Sequence, residues 1–600
     1  MAKRGPDAQG VVTQSRCWFA HRRLSIIDTS NLSNQPMVRG DYSITFNGEI
    51  YNFRELREDL KRKGRTFQTE GDTEVLLIGL IEEGVDFLKK VNGFFAFGFY
   101  QASTNQLILG RDRFGIKPLC YCLTEQEVVF GSSLGTITPF LDRRNIDLDS
   151  LSLYLSFSYI PFPKTILEGV NKLEPGIAMI INKEESKKVE YYKINNLPRS
   201  SDSFKTAKKK VAELLSTSVE RRMVADVPVG TFLSGGVDSS IITLLASQQK
   251  SNIPAFSIGF PDQPYFDESE KARKTAKYLG IEHHTINVTE NDLEQHLEEI
   301  LDSLDEPFAD SSGILVNLLS RFARTKVKVV LSGDGADELF GGYNKHRALL
   351  RSLDTGISND ILKLGSGLFQ NLPSSRNHQL FNQLRKVKRY SNGLKLSFKE
   401  RYLEWARFTR QEEVSKLLNC RFNSPHSTQL GFVIEDLKEN EFNSVLAADF
   451  SLVLPNDMLT KVDIMSMHNS LETRVPFLDH ELVDYVFSLP ASYKLSLKSG
   501  KSILKAAFSE KFPSGFFDSS KKGFEAPLTV WFKGPLKTKI DKLFSKEIIE
   551  EQNLFNYGRI QSLIKKVNSH SPGDTPHTVW ALLLFQHWYY RFISGENQLN

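Results

Sequence analysis

The sequence contains few cysteines, no long hydrophobic run and almost no net charge. Four of its 600 residues are cysteine, too few for a secreted scaffold held by disulfides, so we expect reduced thiols in a cytoplasmic protein. No apolar run approaches the roughly 20 residues that cross a bilayer, and the polar first ten residues predict no signal peptide. Lys and Arg outnumber Asp and Glu by only 76 − 72 = 4, which gives no electrostatic support for a nucleic-acid-binding protein.

The chain is long enough for two or more domains, and a polar stretch at 195–203 separates two different patterns. Before it, short apolar strands and two predicted helices at 53–63 and 72–83 indicate an α+β, largely antiparallel domain. In this domain a strand at 42–46 is expected to end at the turn dipeptide Asn47-Gly48, and Asp72 is expected to cap the second helix.

After the polar stretch, strands and helices alternate between 227 and 331. This alternation is typical of an α/β parallel sheet, whose ligands bind beyond the carboxyl ends of the strands. From about residue 347 the pattern is mostly helical. We therefore predict one domain at 1–195 and a second at 204–600.

A loop with the sequence S-G-G-V-D-S-S at 234–240 follows a predicted buried strand and opens a helix. Its glycines allow the backbone to approach an anion closely, and the helix N-terminus behind them offers unpaired N–H groups. Asp238 repels phosphate but suits a Mg²⁺ ion that bridges phosphates. No G-x-x-x-x-G-K-[ST] sequence is nearby, which excludes a Walker P-loop. The alternative is a glycine-rich turn capped by serine.

A second loop, S-G-D-G-A-D-E-L-F-G-G-Y at 332–343, follows another predicted buried strand. Its carboxylates Asp334, Asp337 and Glu338 could supply a second Mg²⁺ ligand and a base, although a polar turn with a helix cap is the plainer alternative. Since both loops follow parallel strands, we expect them at the same edge of one sheet.

Together the two loops resemble the synthetase domain of glutamine-hydrolysing asparagine synthetases, whose first loop is that of the ATP pyrophosphatases. The N-terminal part is similar to the family's class-II glutaminase domain at R-G-P-D (4–7), H-R-R-L-S-I-I-D (21–28), F-N-G-E-I-Y-N (46–52), G-D-T-E (71–74) and G-R-D-R-F-G (110–115). The C-terminal half adds D-M-L (457–459), K-V-D (461–463), E-T-R-V-P-F-L-D (472–479) and K-K-G-F (521–524). The resemblance runs in order along nearly the whole chain.

The resemblance implies an α+β, Ntn-hydrolase-like glutaminase domain followed by an α/β ATP-pyrophosphatase domain with a helical C-terminal part. It implies ATP-dependent amidation of aspartate to asparagine through a β-aspartyl-adenylate, with Mg²⁺ and with ammonia from glutamine or free ammonia. It also suggests a homodimer, and neither nucleic acid nor membrane as a partner.

In the glutaminase domain, the resemblance implies that Arg23 pairs with the α-carboxylate of glutamine. Glu49 and Asp72 would take the α-ammonium group. Asn47 and the N–H of Gly48 would form the oxyanion hole for the tetrahedral intermediate.

In the synthetase domain, the resemblance implies two catalytic residues, a metal pair and an ATP site. Asp334 would act in adenylate formation and receive the proton of ammonia, and Lys501 would stabilise negative charge in both steps. Asp238 and Asp337 would ligate Mg²⁺. The implied ATP-binding residues are Leu233, Ser234, Gly235, Gly236, Asp238, Ser239, Ser240, Ile258, Ser332 and Gly333.

Two segments depart from the family pattern. The family's glutaminase uses an N-terminal cysteine whose own α-amine is the base, whereas this sequence has Ala2 and lacks the segment that usually precedes R-G-P-D. Cys17 has no free α-amine and cannot replace it, so we expect glutamine to bind but not to be hydrolysed. Either the start has been placed too late, which we favour, or the protein depends on free ammonia. At 130–135, Ser133 and Gly135 replace a charged pair of the family pattern. Since this segment lies near the domain boundary, the change puts the coupling between the domains in doubt.

Two other hypotheses stay open. The acceptor could be another carboxylate, such as a sugar acid or a peptide, or the enzyme could close a lactam ring. A lactam-forming enzyme would not need Arg23, Asn47, Gly48 and Asp72, so the presence of all four counts against this possibility. A third hypothesis is a catalytically silent nucleotide- or glutamine-binding protein, which ATP–pyrophosphate exchange would distinguish from either enzyme.

Overall fold

The structure is a computed structural model that describes residues 1–194, 197–354, 357–369, 372–376, 379–419, 430–518 and 526–594. The K-K-G-F motif at 521–524 and Cys420 lie outside these residues. The three described cysteines, Cys17, Cys120 and Cys122, are free thiols. Within the described part of the chain, no helix is long and apolar enough to cross a membrane.

The N-terminal part is built from antiparallel sheets and three α-helices. A six-stranded sheet has the order β11-β10-β6-β5-β4-β3, a three-stranded sheet the order β8-β7-β9, and β1 and β2 form a hairpin. The strands are β1 Ala8–Gln14, β2 Cys17–Arg23, β3 Met37–Arg39, β4 Tyr42–Ile50, β5 Gly93–Gln101, β6 Gln106–Arg111, β7 Cys120–Leu123, β8 Val128–Gly131, β9 Val170–Lys172, β10 Ile177–Ile181 and β11 Ser186–Glu190. The helices are α1 Phe53–Arg62, α2 Asp72–Glu83 and α3 Leu148–Phe157.

Two local predictions in this part are wrong. Strand β4 does not turn at Asn47-Gly48 but continues to Ile50, because β5 pairs with it along its whole length. Helix α2 has the predicted bounds, but Gly71 occupies its capping position and Asp72 is its first residue. At Asn47-Gly48 the pairing of a distant strand outweighs a local sequence signal.

The C-terminal part begins with helix α4 Phe204–Arg222 and a five-stranded parallel sheet of order β14-β13-β12-β15-β16. Its elements are β12 Val229–Phe232, α5 Val237–Gln249, β13 Ala255–Gly259, α6 Ser269–Leu279, β14 His283–Asn287, α7 Glu290–Leu301, α8 Ser312–Arg324, β15 Val329–Leu331, α9 Ala336–Phe340 and, much later, β16 Glu472–Arg474. The predicted α/β alternation is confirmed, and the loops at 234–240 and 332–335 leave the carboxyl ends of the adjacent strands β12 and β15.

The rest of the C-terminal part is helical, as predicted. Its helices are α10 Asn344–Ser352, α11 Ile357–Leu364, α12 Ser366–Phe369, α13 Gln379–Gly393, α14 Phe398–Ala406, α15 Gln411–Leu417, α16 Gly431–Ile434, α17 Phe442–Val453, α18 Leu459–Met467, α19 His480–Ser488, α20 Ala491–Lys494, α21 Ser502–Phe508, α22 Leu528–Lys533, α23 Lys537–Leu543, α24 Lys546–Gln552, α25 Tyr557–Val567 and α26 Thr575–Tyr589. The predicted fold class is therefore confirmed.

The two parts pack directly against each other through buried aromatic residues. Tyr154 of α3 donates its hydroxyl to the carbonyl of Ala581 in α26 at 2.8 Å. Phe114 meets Phe450 of α17 edge to face, with ring centroids 5.7 Å apart. The domain boundary at 195/204 stays a prediction, because one continuous apolar core runs through both parts.

Candidate active sites

A cavity of about 1680 Å³ opens in the N-terminal part. Its walls include all five residues expected to bind glutamine, namely Arg23, Asn47, Gly48, Glu49 and Asp72. Met467 and Glu472 of the C-terminal part also line it, so the cavity reaches the contact between the two parts. The sequence motifs that suggest a glutaminase thus lie around one space.

Gly48 occupies a position in β4 where only glycine fits. Its φ is +149°, and an added Cβ would lie 2.0 Å from the carbonyl oxygen of Phe94 in β5. The close approach of β5 therefore explains a glycine that the sequence alone suggested was part of a turn.

Two buried carboxylates, Glu49 and Asp72, lie in the wall of this cavity. Asp72 Oδ2 accepts the N–H of Ile50 at 2.9 Å, yet burial raises the pKa of Asp72 to about 6. Burial, together with the charges of Asp72 and Glu472, raises the pKa of Glu49 well above its usual range. Arg474 Nη2 is 4.0 Å from Glu49 Oε2, beyond hydrogen-bond distance. An incoming cation would relieve this concentration of negative charge.

Arg23 lines the same cavity, but its guanidinium binds the loop that follows β2. It donates to the carbonyls of Ser30 at 3.0 Å, Ile27 at 3.1 Å and Asp28, and to Asn34 Oδ1 at 3.1 Å. In this conformation Arg23 holds the loop in place, and its role toward a carboxylate stays a prediction.

The segment 130–135, which departs from the family pattern, touches both parts of the chain. Asn47 Nδ2 donates to Ser132 Oγ at 3.4 Å, and the N–H of Gly135 donates to Asp305 of the C-terminal part at 2.8 Å. The two parts therefore stay in contact here, although Ser133 and Gly135 replace the charged pair of the family pattern.

Cys17 also lines the cavity, at the start of β2. Burial raises the pKa of its thiol to about 12, so the thiolate is scarce at neutral pH. This agrees with the expectation that Cys17 is not the nucleophile.

In the C-terminal part, the loop at 234–240 forms a tight turn onto the N-terminus of α5. Gly235 has a φ of +72°, and Gly236 occupies the capping position of the helix. Ser239 Oγ accepts the N–H of Ser234 at 3.2 Å, which ties the two ends of the turn together. Leu233 and Ile258, expected to flank adenine, are buried at the ends of neighbouring strands.

The second loop lies directly on the first. A Cβ on Gly333 would be 2.9 Å from Cβ of Asp238 and 3.0 Å from the backbone N of Ser239. Ser332 donates its hydroxyl to Asp334, and its N–H to the carbonyl of Arg474 at 2.9 Å. The expectation that both loops share one sheet edge is confirmed.

Lys501 joins the two loops through its buried ammonium group. Its Nζ is 2.5 Å from Asp238 Oδ2 and 2.5 Å from Asp337 Oδ1. Burial alone would lower the pKa of Lys501, but these two carboxylates outweigh burial and raise it. The lysine has a φ of +59°, in the left-handed region, which fixes it immediately before α21.

The arrangement of Asp238 and Asp337 fits a Mg²⁺ ion. One carboxylate oxygen of each lies 2.5 Å from Lys501 Nζ, so the two carboxylates are neighbours, and Mg²⁺ prefers oxygen ligands. Among the described residues no group of three or more metal-ligating side chains converges. Proteins usually bind Mg²⁺ through one or two carboxylates, and substrate phosphates and water complete its coordination.

Asp334 lies beside a charged cluster that the sequence did not single out. Burial raises the pKa of Asp334, and the charge of Lys461 opposes this effect. Lys461 binds Asp310 at 2.8 Å, and Asp457 is close to both. The motifs at 457–459 and 461–463 contain two of these residues, but only the packing of α18 against α8 brings Asp310 to them.

Two family models match the chain. A glutamine amidotransferase domain matches residues 1–192, and asparagine synthase matches residues 210–590, more than half of the sequence. The chain belongs to the asparagine synthase family. This membership confirms the predicted enzyme class, a carbon–nitrogen ligase of the asparagine synthetase type.

Individual relatives of this family match almost the whole chain. Asparagine synthetase [glutamine-hydrolyzing] 1 of Bacillus subtilis is 33% identical, over 98% of this chain and 91% of its own length. A putative asparagine synthetase [glutamine-hydrolyzing] of Mycobacterium bovis is 30% identical, over 99% of this chain and 93% of its own. Amidase chyE of Penicillium rubens is 28% identical, over 94% of this chain and 89% of its own.

Proposed function

We propose that this member of the asparagine synthase family amidates aspartate to asparagine at the expense of ATP, through a β-aspartyl-adenylate. The observation that carries the proposal is Lys501, which joins the carboxylates of the two loops at one sheet edge and so supports a phosphate-binding centre there. Asp334, a buried carboxylate in the second of these loops, provides a base beside that centre.

The first step joins the acceptor carboxylate to AMP. A carboxylate oxygen attacks the α-phosphorus, a new P–O bond forms, and the bond to pyrophosphate breaks. The N–H groups at the start of α5 and the hydroxyls of the loop at 234–240 hold the phosphates, while Lys501 balances the negative charge that develops. Asp238 and Asp337 would hold Mg²⁺, which would neutralise the departing pyrophosphate.

The second step replaces AMP with nitrogen. Ammonia attacks the acyl carbon, the C–O bond to AMP breaks, and the nitrogen loses a proton. Burial raises the pKa of Asp334, which makes its carboxylate a better acceptor for this proton.

We propose that the N-terminal cavity binds glutamine, which would be the source of ammonia where an N-terminal cysteine is present, with free ammonia as the other source. Glu49 and Asp72 would take the ammonium group, Arg23 the carboxylate, and Asn47 with the N–H of Gly48 the oxyanion. The extension of the cavity to Glu472 supports a sheltered path toward the second site, in which ammonia would stay unprotonated.

A second candidate keeps the chemistry but changes the acceptor. The similarity, over 94% of this chain, to a relative named an amidase and not an asparagine synthetase favours it. A sugar acid or a peptide carboxylate would then replace aspartate.

Asparagine production by the purified chain tests the proposal. One reaction would contain aspartate, ATP, Mg²⁺ and ammonium, and a second would contain glutamine in place of ammonium. We expect asparagine, AMP and pyrophosphate in equal amounts with ammonium. Asparagine from glutamine at the same rate would contradict the expectation that glutamine is not hydrolysed. No asparagine in either reaction, from protein that is folded by circular dichroism, would exclude aspartate as the acceptor.

A further inference from the structure

The outward side of helices α11 and α12 is apolar. Only Gly365 separates the two helices, and its N–H donates to the carbonyl of Ile361 at 2.8 Å, so the helical turn continues between them. Four aliphatic side chains, each between 61% and 86% exposed, form what we call the ridge, namely Ile357, Ile361, Leu364 and Leu368. Their spacing of four, three and four residues places them on one side of the helix axis, in a row about 16 Å long.

The opposite side of α11 is polar and packs against the protein. Asn359 is buried, and its amide donates to the carbonyls of Arg351 at 3.0 Å and Asp354 at 2.7 Å. Its Oδ1 accepts the hydroxyl of Tyr390 in α13 at 2.9 Å. Ser366, seven residues further on the same side, is also buried. A surface helix normally turns its apolar side to the core, so α11 is inverted, and the hydrogen bonds of Asn359 hold it that way.

Helix α13 extends this apolar surface. It packs beside α11 and α12 and exposes Leu380 and Val387, which are 62% and 38% exposed. Six of the large apolar side chains that are exposed in the described part of the chain therefore lie within positions 357–387. Isolated exposed apolar residues are common, but such a concentration marks a surface that another body covers.

The same segment is strongly basic. Positions 357–395 contain seven Lys and Arg and one Asp, a net charge of 7 − 1 = +6, whereas the whole chain has +4. Lys363, Lys386 and Lys395 are exposed. Burial and the positive charges of Arg410 and Lys566 lower the pKa of Lys388, so further cations lie near α13. The apolar surface is thus bordered by positive charge.

An apolar ridge beside exposed lysines is complementary to an anionic lipid bilayer. The aliphatic side chains would enter the boundary between head groups and acyl chains, while the lysines would face the anionic head groups. A bilayer is deformable and requires no matching shape, so a ridge one helix wide is sufficient. A second copy of the chain fits less well, because a two-fold contact through the ridge would bring the same lysines of both copies together.

We propose that the ridge, together with Lys363 and Lys386, binds the surface of an anionic lipid bilayer and attaches the enzyme reversibly to membranes. The contact would be at the surface, since no described helix is long and apolar enough to cross a membrane. The proposal goes against the expectation from the family resemblance that a membrane is not a partner. It does not depend on the acceptor or on the source of ammonia.

The first test measures co-sedimentation of the purified full chain with lipid vesicles. One set of vesicles contains phosphatidylcholine alone, and the other contains phosphatidylcholine and phosphatidylglycerol in equal amounts. We expect at least about tenfold tighter binding to the anionic vesicles, and loss of most of this gain at about 1 M salt, where charges are screened beyond about 3 Å. No binding to the anionic vesicles would overturn the proposal. Equal binding to both sets would overturn the choice of an anionic surface.

The second test removes the apolar part of the ridge. A chain with both Leu364→Gln and Leu368→Gln should keep its fold, because both side chains are exposed and glutamine is a good helix former. We expect this variant to bind anionic vesicles at least about tenfold more weakly than the unaltered chain. The matched control carries Leu32→Gln and Val38→Gln, two exposed aliphatic positions of the N-terminal part, and should bind normally. Unchanged binding by the Leu364→Gln, Leu368→Gln variant would overturn the role of the ridge.

The third test reverses one charge beside the ridge. Lys363→Glu should reduce the preference for anionic over neutral vesicles at least about fivefold. Lys326→Glu changes an exposed lysine between α8 and β15 and gives the chain the same net charge, so it serves as the control and should keep the preference. Equal losses in both variants would show a general charge effect and overturn the placement of the membrane on this face.

Light scattering identifies the other possible occupant, a second copy of the chain. We expect the unaltered chain and the Leu364→Gln, Leu368→Gln variant to have the same molar mass in solution. If the unaltered chain is a dimer, the variant is a monomer and neither binds vesicles, then the ridge belongs to an interface between copies and the proposal is wrong.

Discussion

The N-terminal and C-terminal sites both bury pairs of carboxylates, but among the residues that the structure describes only the C-terminal pair has a cation in direct contact. Lys501 lies 2.5 Å from both Asp238 and Asp337. In the N-terminal cavity, Arg474 is 4.0 Å from Glu49, and burial dominates the pKa values of Glu49 and Asp72. One site contains its own cation, whereas the other is arranged to receive one.

This difference follows from the ligand that each site is proposed to bind. A nucleoside triphosphate is strongly anionic, so a lysine already present in the site can balance its negative charge before and during the reaction. Glutamine is a zwitterion, and its ammonium group would supply the missing positive charge itself. The comparison therefore predicts that removing the lysine disables one site, whereas removing a carboxylate weakens the other in a pH-dependent way.

The largest effect is expected from Lys501→Met. The substitution removes the ammonium group that contacts Asp238 and Asp337, and with it the charge stabilisation that the lysine gives the reaction. We expect ammonium-dependent asparagine formation to fall about 10³-fold, which steady-state kinetics would measure. The matched control is Lys498→Met, which removes an exposed lysine three residues away and should keep full activity. Equal activity in both variants would refute a charge-stabilising role for Lys501.

The next largest effect concerns the contact between the two parts. Arg222 is fully buried, forms an ion pair with Asp479, and lies over the ring of Tyr51 with its Cζ 4.6 Å from the ring centroid. Burial would raise the pKa of Asp479, but Arg222 outweighs it, so the pKa is lowered. Arg222→Met would take the fully buried cation away from Asp479, leave it with the partly exposed Arg221 at 3.2 Å, and cost about 3 kcal/mol. Thermal unfolding should show a fall of several degrees in Tm.

Arg221→Met provides the control for this substitution. The guanidinium of Arg221 also reaches Asp479, at 3.2 Å. The Arg221 side chain, however, is 27% exposed and pairs with Glu481 as well. Exposed pairs contribute at most about 1 kcal/mol, so we expect a much smaller change in Tm. If both arginines cost the same, burial of the Arg222–Asp479 pair is not what stabilises the contact.

A tenfold effect is expected from pH at the N-terminal site. Because burial raises the pKa of Asp72 to about 6, its carboxylate is about one-tenth ionised at pH 5 and about nine-tenths at pH 7. Only the ionised form attracts an ammonium group, so glutamine affinity should rise about tenfold across this range. Calorimetric titration with glutamine at both pH values would measure it. Asp72→Asn should bind weakly at both, and a pH dependence that persists in this variant would assign the titration to another group.

Regular elements of the fold could be predicted from sequence more fully than the sites. Helices α1 and α2 lie within one residue of their predicted bounds, because the periodic spacing of apolar residues in a helix is a local pattern. The turn at Asn47-Gly48 was wrong because pairing with β5, more than 40 residues later, continues the strand. Asp310 and Lys461 are 151 positions apart, so no local pattern could join them. Family resemblance named the residues of the loops, but only packing showed that Lys501 joins them.

The smallest effect is expected from Cys17→Ser, which tests whether the N-terminal cavity contains a reactive thiol. Burial raises the pKa of Cys17 to about 12, which leaves little thiolate at neutral pH. Serine keeps the size of the side chain and removes the sulfur, so the ammonium-dependent rate, and any glutamine-dependent rate that is measured, should stay within about twofold. Iodoacetamide labelling followed by mass spectrometry should also find slow modification of this residue. Rapid labelling together with a loss of glutamine-dependent activity alone would make Cys17 a nucleophile, and the N-terminal site would then contain its own reactive group, as the C-terminal site contains its own cation.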